Sequence, residues 1–164
     1  MALFKGIRDY IIGYLNRANE TIKIAVAWFT NDDLFQAILN ALDKNIQVEL
    51  ILIDDCINRN ELGLDFSMFI EKGGHLFFST SEKNMHNKFC VIDNRFVITG
   101  SYNWTYFAEN RNWENIIVTD EESVINEYCK EFESIKAQLE ETSEYKHYKL
   151  NEVEPSTLLS EYDY

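Results

Sequence analysis

At 164 residues and 19.3 kDa the chain has the size of one domain, and with 46% hydrophobic and 14% aromatic residues it carries the material for a buried core. Its net charge of −13 argues against a general electrostatic clamp on nucleic acid, and three scattered cysteines, Cys56, Cys90 and Cys129, are too few for a disulfide framework or a zinc site. Residues 1–20 carry Lys5, Arg8, Asp9, Arg17 and Glu20 and no apolar run reaches spanning length, so a reducing, cytoplasmic compartment without membrane insertion is expected.

Taken in chain order, Leu3, Ile7, Ile11, Tyr14 and Ala18 recur at helical spacing and predict an amphipathic helix over residues 2–18. Residues 21–29 are rich in β-branched and aromatic side chains and read as a buried strand. Asn31 is the expected N-cap of a helix reaching Asp43, with Leu34, Ala37, Ile38 and Leu42 inward. Residues 46–53 form a second buried strand. A helix from about Asn58 to Glu71 should stop at Gly73-Gly74, before a short strand over 75–79. Strands 87–92 and 95–99 meet at an Asp93-Asn94 turn. A short helix over 103–109 and a strand over 114–119 follow. Thr119 or Asp120 should then cap a helix to about Glu141 that buries Val124, Tyr128, Phe132, Ile135 and Leu139. Helix and strand alternate first and strands cluster later, which predicts a mixed α/β sheet with helices on both faces. The domain is expected over 1–141. Residues 142–164 form an acidic tail with Tyr145, Tyr148, Tyr162 and Tyr164, either loose or strapped onto the domain.

The acidity is concentrated at the end. Residues 1–119 hold 11 basic and 15 acidic side chains, against 4 and 13 over 120–164. Within the first segment, between Lys83 and Arg111, lies a small basic island, in which Lys83, Lys88, Arg95 and Arg111 outnumber Asp93 and Glu109.

Within that island the chain reads H-x-K-x4-D-x6-G-S-x-N, through His86, Lys88, Asp93, Gly100, Ser101 and Asn103. His86 and Lys88 stand two apart on a predicted strand, so both side chains leave one face, which Cys90 and Ile92 continue while Phe89 and Val91 enter the core. The turn after the next strand brings Ser101 and Asn103 to the same end. A helix starting near Tyr102 would aim backbone N–H groups there as well. An imidazole, an ammonium, an amide and a hydroxyl would thus converge on a phosphate-sized pocket.

This string resembles the signature of the phospholipase D superfamily, the HKD proteins, and six specified positions are far more than chance supplies. The flanks Met85, Phe89, Trp104 and Thr105 are similar too, as is the Asn112-Trp113-Glu114-Asn115 stretch. The resemblance spans about residues 1–140 and implies double displacement at phosphorus. His86 would attack the diester and become a phosphohistidine, and a second histidine would protonate the leaving oxygen and then activate water. Lys88, Asn103 and Ser101 would hold the non-bridging oxygens, with no metal and no cofactor. Glu114 would accept the second imidazole N–H. Asp93, the third letter of the motif, would brace the motif or the dimer.

The chain holds three histidines, and only His86 lies in the motif; His75 and His147 read as surface or capping residues. The chemistry therefore implies a homodimer whose two His86 rings face across a two-fold axis. A nuclease is the expected class, with DNA or RNA as substrate. A phospholipase or cardiolipin-type lipid hydrolase and a non-catalytic phosphate- or partner-binding module are the alternatives. Cys90 reads as a small core residue, Asp54-Asp55 as loop carboxylates rather than a metal pair, and Trp28, Phe29, Trp104 and Trp113 as core, with Trp104 and Trp113 able to border the cleft.

Overall fold

The computed structural model describes residues 1–80 and 82–148. Among them, strands β1 (Ala2–Leu3), β2 (Thr21–Val26), β3 (Gln47–Ile53), β4 (His75–Ser79), β5 (Lys88–Ile92), β6 (Phe96–Gly100) and β7 (Ile116–Thr119) form one sheet in the order β1-β7-β6-β5-β2-β3-β4. The helices are α1 (Ile7–Leu15), α2 (Asp32–Asp43), α3 (Phe66–Glu71), α4 (Tyr106–Asn110) and α5 (Glu122–Lys136). β2, β3 and β4 pair in parallel through helical crossovers, whereas β5, β6 and β7 add antiparallel neighbours. The mixed sheet with helices on both faces is the expected architecture.

Strand alternation sorts side chains between two cores. Ile22, Ile24, Leu50, Leu52, Cys90 and Ile92 pack with α1, α2 and α3 on one face. Ala25, Ile51, Phe89, Val91 and Val97 pack with Ile125 and Phe132 of α5 on the other. Both faces of β5 are therefore core, not only the face of Phe89 and Val91. Complete burial of Phe132 is worth about 2–3 kcal/mol and fixes α5 to the sheet. Lys136 at its end reaches Glu49 of β3 at 2.5 Å.

Four element boundaries differ from expectation. The first helix begins at Ile7, because Gly6 takes a left-handed φ of 63° and Ala2-Leu3 pair with Ile117-Ile116 of β7. The helix expected from Asn58 is confined to α3. Asp55 captures the backbone N–H groups of Ile57 and Asn58, and the Asn58 side chain is drawn into the backbone of Ala27, Phe29 and Ile53, so this stretch folds as turns until Asp65 caps Ser67. The short helix over 103–109 begins later, at Tyr106, with Thr105 as its cap on Ala108. α5 starts after Glu121 and ends at Lys136, and its deepest residues are Ile125 and Phe132. The Asn31 cap on Leu34 and the Asp93-Asn94 turn, with φ of 53° and 48°, are as predicted.

Residues 142–148 continue the packed domain as a strap. Thr142 N–H bonds the Leu76 carbonyl at 2.7 Å, and Tyr145 is buried with its hydroxyl on the Asn58 carbonyl at 3.0 Å. Tyr148 N–H bonds the Arg59 carbonyl at 2.8 Å. The rest of the predicted tail, with Tyr162 and Tyr164, lies outside the described residues. No helix among the described residues is long and apolar enough to cross a membrane.

Candidate active site

The strand directions bring one set of ends to one edge of the sheet. Antiparallel register sets Lys88, the first residue of β5, beside Val26, the last of β2, and Phe89 opposite Thr99 of β6. Gly100 at the end of β6 pairs with Ile116 at the start of β7. That junction requires glycine, since a Cβ there would stand 2.1 Å from the Asn115 carbonyl oxygen. The close approach lets Ser101 N–H bond the same carbonyl at 3.1 Å. The parallel strands β3 and β4 deliver Asp54-Asp55 and Lys83 toward the same edge.

His86 lies in the loop just before β5 rather than on the strand itself, yet it still converges with Lys88. The Lys88 Nζ lies 3.3 and 3.5 Å from the two His86 ring nitrogens and donates to the His86 carbonyl at 2.8 Å. Desolvation and then the Lys88 charge hold the His86 imidazole below its ordinary pKa, which favours the neutral, nucleophilic ring. Lys88 is also lowered by burial, and the Glu114 carboxylate acts against that shift.

Asn103 is buried and accepts the Trp28 backbone N–H at 3.3 Å through Oδ1. Its carbonyl end is thereby assigned, which leaves the NH2 end as a donor. Ser101 donates its hydroxyl to Glu114 and accepts the Asn115 backbone N–H at 3.1 Å. Glu114 also accepts from the Asn112 amide at 3.2 Å. The two residues thus form a coupled pair beside Lys88, where Glu114 was expected on the imidazole and Ser101 on a phosphate oxygen. The helix expected near Tyr102 does not aim its N–H groups here, because α4 begins four residues later.

Asp93 does not join the site. It lies at the far end of β5, five residues from Lys88, a separation of roughly 17 Å at strand rise. Its carboxylate accepts the backbone N–H groups of Asn19, Glu20 and Thr21 at 2.9, 2.8 and 3.0 Å. Burial pushes its pKa up, but these donors prevail and hold it low. Asp93 is a staple that pins the start of β2 to the β5–β6 turn, which corrects its grouping with the catalytic residues and agrees with the bracing role. Arg95 sits at the same remote turn, so the basic island does not assemble whole.

The other histidines are elsewhere. His75 opens β4 at the opposite edge and pairs with Glu141 at 2.7 Å. His147 meets the Tyr145 hydroxyl at 3.3 Å in the strap. Asp54 is paired with Arg59 at 2.5 Å and accepts from the Tyr148 hydroxyl at 2.8 Å. Among the described residues no cluster of three or more His, Cys, Asp or Glu is disposed to hold a metal. Cys90 is buried and its thiol pKa is pushed up.

Trp28 has a place at the site that composition and periodicity could not show. It is buried, as expected of a core residue, but its ring stands edge-to-face with His86, centroids 5.7 Å apart. No signal in the sequence marked it, since residues 21–29 read as one strand, whereas the strand ends at Val26 and leaves Trp28 in the segment that follows. Trp28 is also one wall of a groove of about 300 Å³, completed by Ile57, Leu62, Thr105, Tyr106 and Phe107. Trp104 is core, edge-on to Phe29, whereas Trp113, next to Glu114, is wholly exposed.

A profile of the family described as "Cardiolipin synthase, PLD-like domain" matches residues 11–136. The chain is 31% identical over 124 residues to a mitochondrial cardiolipin hydrolase of Chlamydomonas reinhardtii, covering 76% of this chain and 55% of that one. It is 29% identical over 135 residues to a phospholipase D of Rickettsia typhi, covering 80% and 64%. It spans between about half and two thirds of the length of these relatives. Its fold is similar to that of Nuc, a phospholipase D family member of Salmonella typhimurium, with a TM-score of 0.77 at 18% identity over 88% of this chain and 97% of that one.

Proposed function

The chain belongs to the phospholipase D-like family, and on that premise we propose that it is a metal-independent phosphodiesterase whose substrate is nucleic acid. The observation that carries the reading is the convergence of His86, Lys88 and Asn103: an imidazole biased toward its neutral form, an ammonium within 3.5 Å of it, and an amide whose donor end is left for an anion. Neutral His86 attacks phosphorus, the P–O bond to the leaving group breaks, and a phosphohistidine forms. A second imidazole gives its proton to the leaving oxygen. It then takes a proton from water, which attacks phosphorus and breaks the P–N bond, regenerating His86. Lys88 and Asn103 spread the charge on the non-bridging oxygens. Ser101 and Glu114 orient each other and balance the Lys88 charge.

The second imidazole comes from a second copy of the chain. His75 and His147 are held away by Glu141 and Tyr145, and His86 is exposed to a facing molecule. A homodimer with both His86 rings on one phosphate completes the site.

Exposed aromatic side chains beside the site favour nucleic acid. Trp113 and Tyr106 offer faces for bases, and the Arg111 guanidinium lies 4.8 Å from the Phe107 ring centre, a cation placed for a neighbouring phosphate. A lipid diester is the second reading. It is favoured by Leu62, exposed at 89% on the rim of the groove, and by the curated relatives named cardiolipin hydrolase. The test is cleavage of labelled single- and double-stranded DNA, RNA and cardiolipin vesicles in EDTA, by wild type and His86→Ala. Cleavage of nucleic acid that His86→Ala abolishes is expected. Cleavage of cardiolipin alone would transfer the site to lipid, and magnesium-dependent cleavage would overturn the mechanism.

A further inference from the structure

We propose that Trp28, clamped by Asp55, is a positioning residue that sets both the His86 ring and the Asn103 amide; this rests on the phosphodiesterase reading of the site.

Trp28 is joined to the site by three separate contacts. Its ring meets the His86 ring edge-to-face at 5.7 Å and 82°. Its backbone N–H bonds Asn103 Oδ1 at 3.3 Å. Its carbonyl accepts the Trp104 N–H at 3.1 Å, which holds the segment that follows Asn103. An N–H cannot bond an NH2 group, so the second contact decides which end of the Asn103 amide faces the phosphate. The position therefore acts on the nucleophile through its ring and on an anion donor through its backbone.

The indole is itself held. Its Nε1–H donates to Asp55 Oδ2 at 2.7 Å, a short charge-assisted bond. Asp55 cannot follow if the indole moves, because its other oxygen accepts the backbone N–H groups of Ile57 and Asn58, both at 3.0 Å. The buried Asn58 amide ties that turn in its turn to the Ala27 and Ile53 carbonyls at 2.8 and 2.7 Å. A rigid chain thus runs from the β3 end through Asp55 and Trp28 to His86. It matters because His86 sits on an exposed loop, where an imidazole without a wall would sample several rotamers. Held in one rotamer, the ring keeps its attacking nitrogen aligned with phosphorus, and small misplacements at this step are costly.

The wall also excludes water from one side of the imidazole. Burial is the larger cause of the lowered His86 pKa, ahead of Lys88. The charged groups around the ring are Lys88 on β5, Glu114 through Lys88, and Lys83 and Glu131, which line a cleft with His86 from the preceding loop and from α5. Asp55 faces the indole rather than the imidazole. Loosening Trp28 should therefore let the His86 pKa rise toward the ordinary imidazole value.

Three variants separate the clamp from charge and from simple stability: Trp28→Phe keeps a ring without its N–H, Asp55→Ala deletes the acceptor, and Asp55→Asn keeps an acceptor oxygen without the charge. Each is assayed for kcat and KM on bis(p-nitrophenyl) phosphate, for Tm, and for the His86 titration by NMR, assigned with His86→Ala. Trp28→Phe and Asp55→Ala should each lower kcat about tenfold with KM within twofold, and the double variant should be no worse than either single one. Asp55→Asn, whose single oxygen serves either the indole or the turn but not both, should fall between wild type and Asp55→Ala in kcat. The His86 titration should move up in Trp28→Phe and by a smaller step in Asp55→Asn. A folded Trp28→Phe protein with wild-type kcat and an unmoved His86 titration overturns the proposal. The titration needs no turnover, so it still decides if the wild type cleaves no diester, an outcome that would overturn the proposed function alone. If Asp55→Ala fails to fold, Trp28→Phe and Asp55→Asn carry the decision.

Discussion

Removing the Asp93 carboxylate should cost stability and leave the chemical step untouched. The carboxylate accepts three backbone N–H groups, from Asn19, Glu20 and Thr21, at 2.8–3.0 Å. A hydrogen bond to a charged group is worth about 1.5–3 kcal/mol when dry. These bonds are largely solvent-facing, so about 1 kcal/mol each is the fitting scale. Asp93 also holds φ at 53°, where alanine costs about 1 kcal/mol more. Asp93→Ala should therefore lose about 3–4 kcal/mol and on the order of 10 °C in Tm for a domain this size. Asp93→Asn tolerates the backbone conformation and keeps one acceptor oxygen, so about half that loss is expected. The pH dependence follows from the lowered pKa. The contribution is whole above the ordinary carboxylate value of 3.8 and fades as pH falls through the lower folded value. The gap between wild type and Asp93→Asn should thus be constant from pH 5 to 8 and close in acid. The assay is thermal melting across pH 3–8 beside kcat at 25 °C. A variant that melts like wild type but has lost turnover would refute the staple and return Asp93 to the chemistry.

Lys88→Ala should lower kcat by about 10²–10³, the scale of one lost oxyanion donor, with the fold intact by circular dichroism; near-wild-type turnover would remove Lys88 from the site. Because desolvation holds His86 below its ordinary value of 6.5, the acid limb of kcat/KM should lie below that value, with an alkaline fall set by the second, proton-donating His86; an acid limb above 6.5 would contradict the desolvated ring. Gly100→Ala should cost about 3 kcal/mol in urea unfolding, because the Asn115 backbone stands where its Cβ would be; a loss under 0.5 kcal/mol would show that the junction yields. Tyr145→Phe should cost about 1 kcal/mol for its bond to the Asn58 carbonyl, and Tyr145→Ala about 3–5 kcal/mol, which melting of the two variants checks. The protein should sediment as a dimer, and phosphate or sulfate should raise its Tm by binding between two facing Lys88 side chains; an active monomer would break the requirement for a second His86.

Sequence alone determined what depends on local pattern. The buried strands at β2 and β3 are runs of branched residues with few ways to be anything else. Asn31 caps α2 because a side-chain amide at that spacing meets the Leu34 N–H in any context. Asp93-Asn94 makes its turn because both residues tolerate positive φ. His86, Lys88, Ser101 and Asn103 were legible as a motif, since the β5–β6 hairpin that gathers them is local in the chain. What lay beyond reach needed partners far away in sequence. Ala2-Leu3 became strand because β7 lies beside them, not because of their own periodicity. Asn58 has the look of a helix start, but it is consumed by the carbonyls of Ala27, just past β2, and Ile53, at the end of β3, which the sheet brings within 3 Å. Asp93 shares the motif with His86, yet a strand carries it to the opposite edge. Trp28 lies 58 positions from His86 and reaches it only because β2 and β5 run antiparallel with Val26 beside Lys88. Local spacing sets which elements form and which residues share a face. Register between distant strands decides which of those faces meet, and the site is made of such meetings.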